Sequence, residues 1–509
     1  MKNFKSVIAV LLAVMLTVPF AALSFASEDG AYEITNPYEN INWSTVKAYK
    51  TALHTHTNAS DGNDTLKASL QRHAEAGFDI IATTDHGTVN KSWVTDSENK
   101  LIYTAMSLVG KTEGGIVSLG VVGTFDNGTT YATKNKNGDD YLVLADGTEI
   151  LRVPFGIENN AISVNAHVNS WFADYCDNTI TTYEDAVSGV DKAGGVSVIN
   201  HPGEYTKARY EIRSEDAYND SNPVYNYYIN KYATLIDTYD SCIGIDMNSK
   251  GDNRTRFDRI LWDNLLTRFS AKGENVYAIA SSDAHNLDII DSGFVLALLE
   301  EQTSSALRAS LENGEFFAAS HCLGNYDELA DIAAALKEFY GEDTAIYNKV
   351  NGTAEAMLAK IEGIENGEYD ADEDIGITYS TLENGYATIS DPIITAINVN
   401  EATDEITIDT ENALIVRWIS DGKLIETTTA SDATLDLNDY EDVLGDYIRV
   451  EVFGEGGILY TQAFLLNASE KADASIIKES YTNLGVLDFL FAELNNWYAI
   501  ILRFFVNLF

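Results

Sequence analysis

The chain has 509 residues, 45% of them hydrophobic and 11% aromatic, which is enough to bury a large core and build two or more domains and excludes a disordered or fibrous protein. Its 33 Lys and Arg face 78 Asp and Glu for a net charge of −45, and no basic stripe breaks the acidity, so long nucleic acid is not an expected partner. Small anionic ligands stay open, provided that their site is itself positive.

In chain order, residues 1–26 place Lys2 and Lys5 ahead of an apolar run from Val7 to Leu23 and end in Ser24-Phe25-Ala26, a small-x-small pattern. The reading is a cleaved secretory signal peptide, a mature chain starting near Ser27, and a secreted or extracellular protein. The apolar run is near the lower limit for a membrane span. Cleavage would leave 31 basic against 78 acidic residues, a net charge of about −47. Cys176, Cys242 and Cys322 are too few and too scattered for a disulfide framework or a zinc knuckle, and one bridge would leave one thiol over.

From residue 27 to 323 short β-rich runs alternate with helical stretches, the pattern of a parallel α/β fold. Strands are predicted over 48–57, 79–86, 162–171, 196–202, 242–248 and 276–283. Helices are predicted over 64–76, where Leu66, Leu70 and Ala74 share a face, and over 255–271, where Phe257, Ile260, Leu261, Leu265 and Leu266 do. Within about 95–155, Asn127-Gly128, Asn137-Gly138 and Asp146-Gly147 are hairpin signals, so this stretch reads as a β-rich excursion. Residues 324–385 read as an acidic helical insert or linker. Over 386–467 the period shifts to alternation in several short strands, the pattern of a small immunoglobulin-like β-sandwich. The tail, 468–509, reads as an amphipathic segment able to touch a membrane surface or the cell envelope.

The chain has eight histidines, and six of them fall at the ends of predicted strands. His54-Thr-His56, with Asp61 five residues on, puts two imidazoles on one side of an extended strand. Thr84-Asp-His86 ends the next strand; Gly156-Ile-Glu158, Ala166-His167, Ile199-Asn-His201-Pro and Asp283-Ala-His285 follow. Each alone is weak, but strand ends of a barrel converge on one face, where residues remote in sequence become neighbours. Imidazole with carboxylate suits Zn, Mn or Fe. His73, inside a helix, and His321, beyond the last barrel element, are read as structural.

The ordered set His-x-His, Asp, Asp-His, Glu, His, His-Pro, Asp-x-His resembles the polymerase and histidinol phosphatase (PHP) family over roughly residues 46 to 320. The resemblance implies a distorted (β/α)7 TIM-like barrel and two or three divalent metal ions. His54, His56, Glu158 and Asp283 would hold the first; Glu158, His167 and His201 the second; Asp61, His86 and His285 the third. Glu113 rivals Glu158 as the bridging ligand, and Glu158 is preferred for its short distance to the His167 strand.

The implied activity is hydrolysis of small phosphate esters or nucleotides by metal-activated water, with Asp283, His201 and His285 as the catalytic candidates; either imidazole could serve the leaving oxygen, and the acid stays open. Arg254 and Arg256 are candidate phosphate anchors, and Arg209 and Arg213 have similar standing. The alternatives are a metallohydrolase acting on a non-phosphate ester, lactone or amide, and an envelope-associated binding protein with structural metals.

Overall fold

The computed structural model describes residues 30–93, 119–160, 166–176, 182–206, 208–248, 253–370 and 375–468. The expected signal peptide, Glu113 and nearly all of the C-terminal tail lie outside them. Among the described residues no helix is long and apolar enough to cross a membrane, and no disulfide joins the three cysteines.

The protein is a mixed α/β structure with two large sheets. In the first, β1 (Ile34–Thr35) lies far from β2 (Lys47–Ala52), which runs parallel to β3 (Ile80–Ile81). The excursion adds β4 (Val122–Thr124), β5 (Thr130–Lys136), β6 (Asp139–Leu144) and β7 (Glu149–Arg152), an antiparallel run whose last strand lies parallel to β3. Its three turns fall where the Asx-Gly pairs predict them, with Gly128, Gly138 and Gly147 at φ +88°, +103° and +95°, a region open to glycine without steric cost.

The second sheet has the order β12 (Tyr277–Ala280), β11 (Cys242–Asn248), β10 (Val196–Ile199), β9 (Val168–Trp171), β8 (Ile157–Asn159). Here the all-parallel expectation is corrected. β10, β11 and β12 are parallel, but β9 is antiparallel to both β8 and β10. Only residues 160–167 separate β8 from β9, too short a link for the crossover that a parallel pair needs.

Helices α1 (Leu66–Glu75), α2 (Tyr183–Ala193), α3 (Pro223–Thr238) and α4 (Asp258–Ser270) follow strands, as predicted for two of them. α1 starts at Thr65, whose side chain accepts from the Ala68 N–H; α2 has a full capping box between Thr182 and Asp185 and stops at Gly194 in the left-handed region. Leu53, Ile80, Val198, Ile279 and Val295, from both sheets, pack into one buried cluster.

Among the described residues neither sheet closes on itself. Beyond the ends of β2 and β3, Thr55 bridges to Ala284 and His86 to Glu158, both parallel, so backbone bridges join the sheets at two isolated points. β13 (Gly293–Leu299) pairs with β2, and β14 (Phe316–Ser320) with β13 on the far side of α5 (Ser304–Asn313). Residues 326–365 form α6 (Tyr326–Tyr340) and α7 (Ala345–Glu365), which pack on each other.

The C-terminal strands make two layers. Ile393–Asn400, Glu405–Glu411 and Thr434–Asp436 form a three-stranded sheet whose Ile394, Ile397, Ile406 and Ile408 pack with Trp418, Val450 and Val452. The second layer, however, is not self-contained. Gly457–Tyr460 pairs with β14 through Ala318↔Tyr460, and β1 pairs with Phe464–Leu466, so it is continuous with the sheet that carries β2. The pairing satisfies a β14 edge that would otherwise present open N–H and C=O groups.

Candidate metal centre

Every one of the six strand-end histidines reaches the same place. His54 and His56 leave β2, His86 follows β3, His201 follows β10, and Asp283 and His285 follow β12. His167 comes before β9 rather than after it, because that strand runs the other way and its start lies on the side where its neighbours end. Glu158, inside β8, is 1% exposed and lies at the centre. Two of these residues hold backbone conformations rare outside glycine, His201 at φ +27° and Asp283 at φ +43°. Such strain costs on the order of 1–3 kcal/mol and persists where the surroundings overdetermine it.

Four donor atoms form one tight group. The Nε2 atoms of His54 and His56 lie 3.2 Å apart. Each is 3.1 Å from Asp283 Oδ1, and they are 3.3 and 3.0 Å from Glu158 Oε2. Ligands held about 2.0–2.1 Å from one tetrahedral cation stand about 3.3 Å from each other, so the residues present fit a cation at their centre. Two further groups of donors are close enough to share an ion: His56, Asp61 and His86, and His86, Glu158 and His167. The partition thus differs from the implied one: His56 and His86 each belong to two groups, and His201 and His285 adjoin the groups through Glu158 and Asp61. His201 Nε2 is 3.2 Å from Glu158 Oε1, and His285 Nε2 is 3.4 Å from Asp61 Oδ1.

The ring nitrogens are sorted. His54, His56, His86, His201 and His285 all turn Nε2 toward the central carboxylates, and His56 and His285 turn Nδ1 toward one as well, Asp61 Oδ1 at 3.4 Å and Asp283 Oδ1 at 3.5 Å. Behind them, Nδ1 of His54 faces Asp246 at 3.6 Å, that of His56 faces Ser60 Oγ at 3.3 Å, and that of His86 faces the Glu158 carbonyl at 3.2 Å. Nδ1 of His201 faces Glu204 at 3.3 Å, and that of His285 the Asp283 carbonyl at 2.9 Å. An acceptor within hydrogen-bonding reach of one nitrogen, such as the carbonyls behind His86 and His285, keeps the proton there and leaves a lone pair on the other. His167 differs: its Nδ1 lies 3.1 Å from both Glu158 Oε1 and the Tyr205 hydroxyl.

The carboxylates draw positive charge onto the imidazoles. Burial opposes protonation of His54 and His56, but Asp283 and Glu158 outweigh it and raise both, His56 to about 10. Burial alone would raise Glu158 and Asp61, yet the surrounding histidines hold both well below the usual carboxylate range. His86 is pulled the other way, down to about 4, because burial exceeds the pull of Glu158 and Asp61. The side chains of His285, Asp61 and His167 are 30%, 15% and 14% exposed and mark the mouth, while the other six donors are almost fully buried.

The arginines named from sequence do not point into this cluster. Arg254 pairs with Glu204 at 2.7 Å, Arg256 is buried and donates to the Glu211 carbonyl, and Arg213 pairs with Glu365. Arg209 lies over the Tyr210 ring. His73 and His321 sit in structural roles: His73 Nδ1 bonds the Ser69 carbonyl within α1, and His321 Nε2 lies 2.6 Å from Asp391. Sequence reasoning missed Asp246, Glu204, Tyr205 and Asn200, whose amide donates to Glu158 Oε1 at 2.7 Å. Asp246 had a readable signal, a carboxylate inside the apolar run Ile243-Gly-Ile-Asp-Met247, where an unpaired charge would not be tolerated.

No family model matches the chain, and no curated protein matches it. Among solved structures it is similar to a two-domain protein from Bacteroides vulgatus ATCC 8482 that contains a predicted PHP-like metal-dependent phosphoesterase. The identity is 14%, the match covers 84% of this chain and 88% of that one, and the TM-score is 0.33.

Proposed function

We propose that the protein is an exported metal-dependent phosphoesterase acting on small phosphate esters or nucleotides, built on a distorted barrel of β2, β3 and β8 to β12 that is joined at the Thr55 and His86 bridges. The observation that carries this reading is the convergence of six imidazoles and the carboxylates Glu158, Asp283 and Asp61 from remote parts of the chain, with Nε2 of His54 and His56, Glu158 Oε2 and Asp283 Oδ1 spaced as the ligands of one cation. Structural zinc sites are single and thiolate-rich, whereas this cluster has no thiolate and has a mouth.

Two or three divalent cations, Zn, Mn or Fe, would be held by the nine residues His54, His56, Asp61, His86, Glu158, His167, His201, Asp283 and His285. When bound they supply Lewis acidity, polarising phosphoryl oxygens and acidifying water toward neutrality. Three of them bring a formal charge of about +6 against about −3 from Asp61, Glu158 and Asp283, which makes the pocket attractive to an anion despite the acidic body. The chain itself holds the ligands in or next to strands, with six of the nine almost fully buried. His201 is buried and His285 lies at the mouth, and since both would give Nε2 to a cation, neither is assigned as the proton donor to the leaving oxygen. Export rests on residues 1–26, and contact with the cell envelope would fall to the tail.

The test is phosphate release from monoesters, diesters and nucleotides by the purified protein loaded in turn with Mn, Zn and Fe. Asp283→Ala is expected to cut release about a hundredfold or more, since Asp283 touches both His54 and His56 in the tightest donor group. Full activity in that variant would sink the reading. Turnover of lactones or amides without phosphate ester hydrolysis would move the assignment to another metallohydrolase.

A further inference from the structure

Behind His201 the structure places a relay that reaches the surface. Glu204 lies three residues on, in the turn Pro202–Glu204, with Oε2 3.3 Å from His201 Nδ1 and Oε1 2.7 Å from Arg254 Nη1. The Glu204 side chain is 11% exposed and that of Arg254 34%. The turn is pressed onto the segment that carries Arg254. The Gly203 N–H donates to Asp258 Oδ2 at 3.1 Å, and a Cβ at Gly203 would stand 2.4 Å from Asp258 Oδ1 and 2.9 Å from the Arg254 carbonyl. His201 itself is held at φ +27°, so its loop has little freedom to reorient the ring.

We infer that Glu204 and Arg254 are positioning residues that fix which nitrogen of His201 faces the cluster, and that Arg254 serves the site through Glu204 rather than by gripping a substrate phosphate. The Glu204 carboxylate, 3.3 Å from Nδ1, draws the imidazole proton to that side and leaves the Nε2 lone pair toward Glu158 and Asp283. Arg254, with its five donors in a rigid fork, holds the carboxylate in that pose. The inference rests on the reading of the cluster as a metal centre. It gives Arg254 a different task from the one its residue type suggests, because a guanidinium engaged by a carboxylate at 2.7 Å is already matched in charge and geometry.

The experiment measures Mn(II) stoichiometry and Kd by calorimetry, and kcat and KM on a chromogenic phosphate monoester, for the full-length protein and for Glu204→Gln, Arg254→Met, Arg254→Lys and the Glu204→Gln/Arg254→Met double variant. Glu204→Gln is expected to weaken Mn(II) binding about tenfold or more and to lower kcat with KM nearly unchanged. Arg254→Met should do the same more mildly, the double variant should be no worse than Glu204→Gln, and Arg254→Lys should restore most of the loss. A rise in KM for Arg254→Met with Mn(II) affinity intact, or additive losses in the double variant, overturns the relay. Normal Mn(II) binding and turnover in Glu204→Gln overturns it too, whereas failure of the wild type to bind Mn(II), Zn(II) or Fe(II) at the cluster overturns the metal-centre reading beneath it. Should Glu204→Gln not fold, Arg254→Met, at the exposed end, carries the same test.

Discussion

At the scale of single residues, the cluster shows how burial and charge compete at an imidazole. His73 and His56 are both buried, and they end in opposite states: burial pulls His73 down to about 4, while Asp283 and Glu158 overcome burial at His56 and lift it to about 10. The neighbours, not the depth, decide the outcome. A cation entering the cluster needs the lone pair that the proton occupies, so binding at any pH below about 10 must displace the His56 proton. Metal binding at neutral pH is therefore expected to release at least one proton, and affinity to fall as pH falls, by about tenfold per unit for each proton displaced. Calorimetry in buffers of different ionisation enthalpy reads this directly, and an enthalpy independent of buffer would contradict it. The nine ligand candidates were legible only as a set, each weak alone, because they recur at the ends of apolar strand-like runs. Glu204 and Asn200 were not, since a Glu or Asn beside a His-Pro turn looks like any solvated loop residue.

At the scale of elements, the predicted strand 242–248 coincides with β11 and the predicted helix 255–271 with α4, because long apolar runs and a repeated face are strong local signals. The direction of β9 was not readable. Side chains alternate with a period of two whichever way a strand runs, so the residue pattern carries no arrow. The position of Glu158 depends on a close backbone approach at the start of β8: a Cβ at Gly156 would stand 2.5 Å from the Thr83 carbonyl, which belongs to the run leading to His86. Gly156→Ala is expected to push β8 away from that run, moving Glu158 out of the cluster. The expected result is loss of metal at the Glu158 positions and of about tenfold or more in activity, with secondary structure retained. Metal content by mass spectrometry with circular dichroism measures both, and full metal content with unchanged activity would refute the argument.

At the scale of the whole molecule, the sheet that carries β2 runs without a break into the C-terminal strands, and a buried ionic network crosses the same boundary. Arg449 donates to Asp263 of α4 from Nε and Nη2 at 2.6 and 2.7 Å and to Glu451 from Nη1 at 2.7 Å. Arg259 of α4 pairs with Glu328 of α6, and Arg417 with Glu451. Burial would raise Glu451, but Arg259, Arg417 and Arg449 together hold it low. Removing one partner of such a pair leaves the other buried and uncompensated, so Asp263→Ala is expected to cost about 3–5 kcal/mol in urea unfolding. The wild type is expected to lose helix and tryptophan signals together, Trp262 reporting on α4 and Trp418 on the C-terminal sheet; two separate transitions would make the C-terminal layers an independent domain. By itself the sequence determined the mixed α/β character, the two-layer β region and the residues that gather at the site, since each depends on local periodicity, turn chemistry and residue type. Only the tertiary structure decided that β9 is reversed, that β14 joins the C-terminal strands, that His86 adjoins two donor groups and that Arg254 faces Glu204. Those outcomes depend on which distant backbone edges and charges meet, and edge pairing and ion pairing leave no period in the chain.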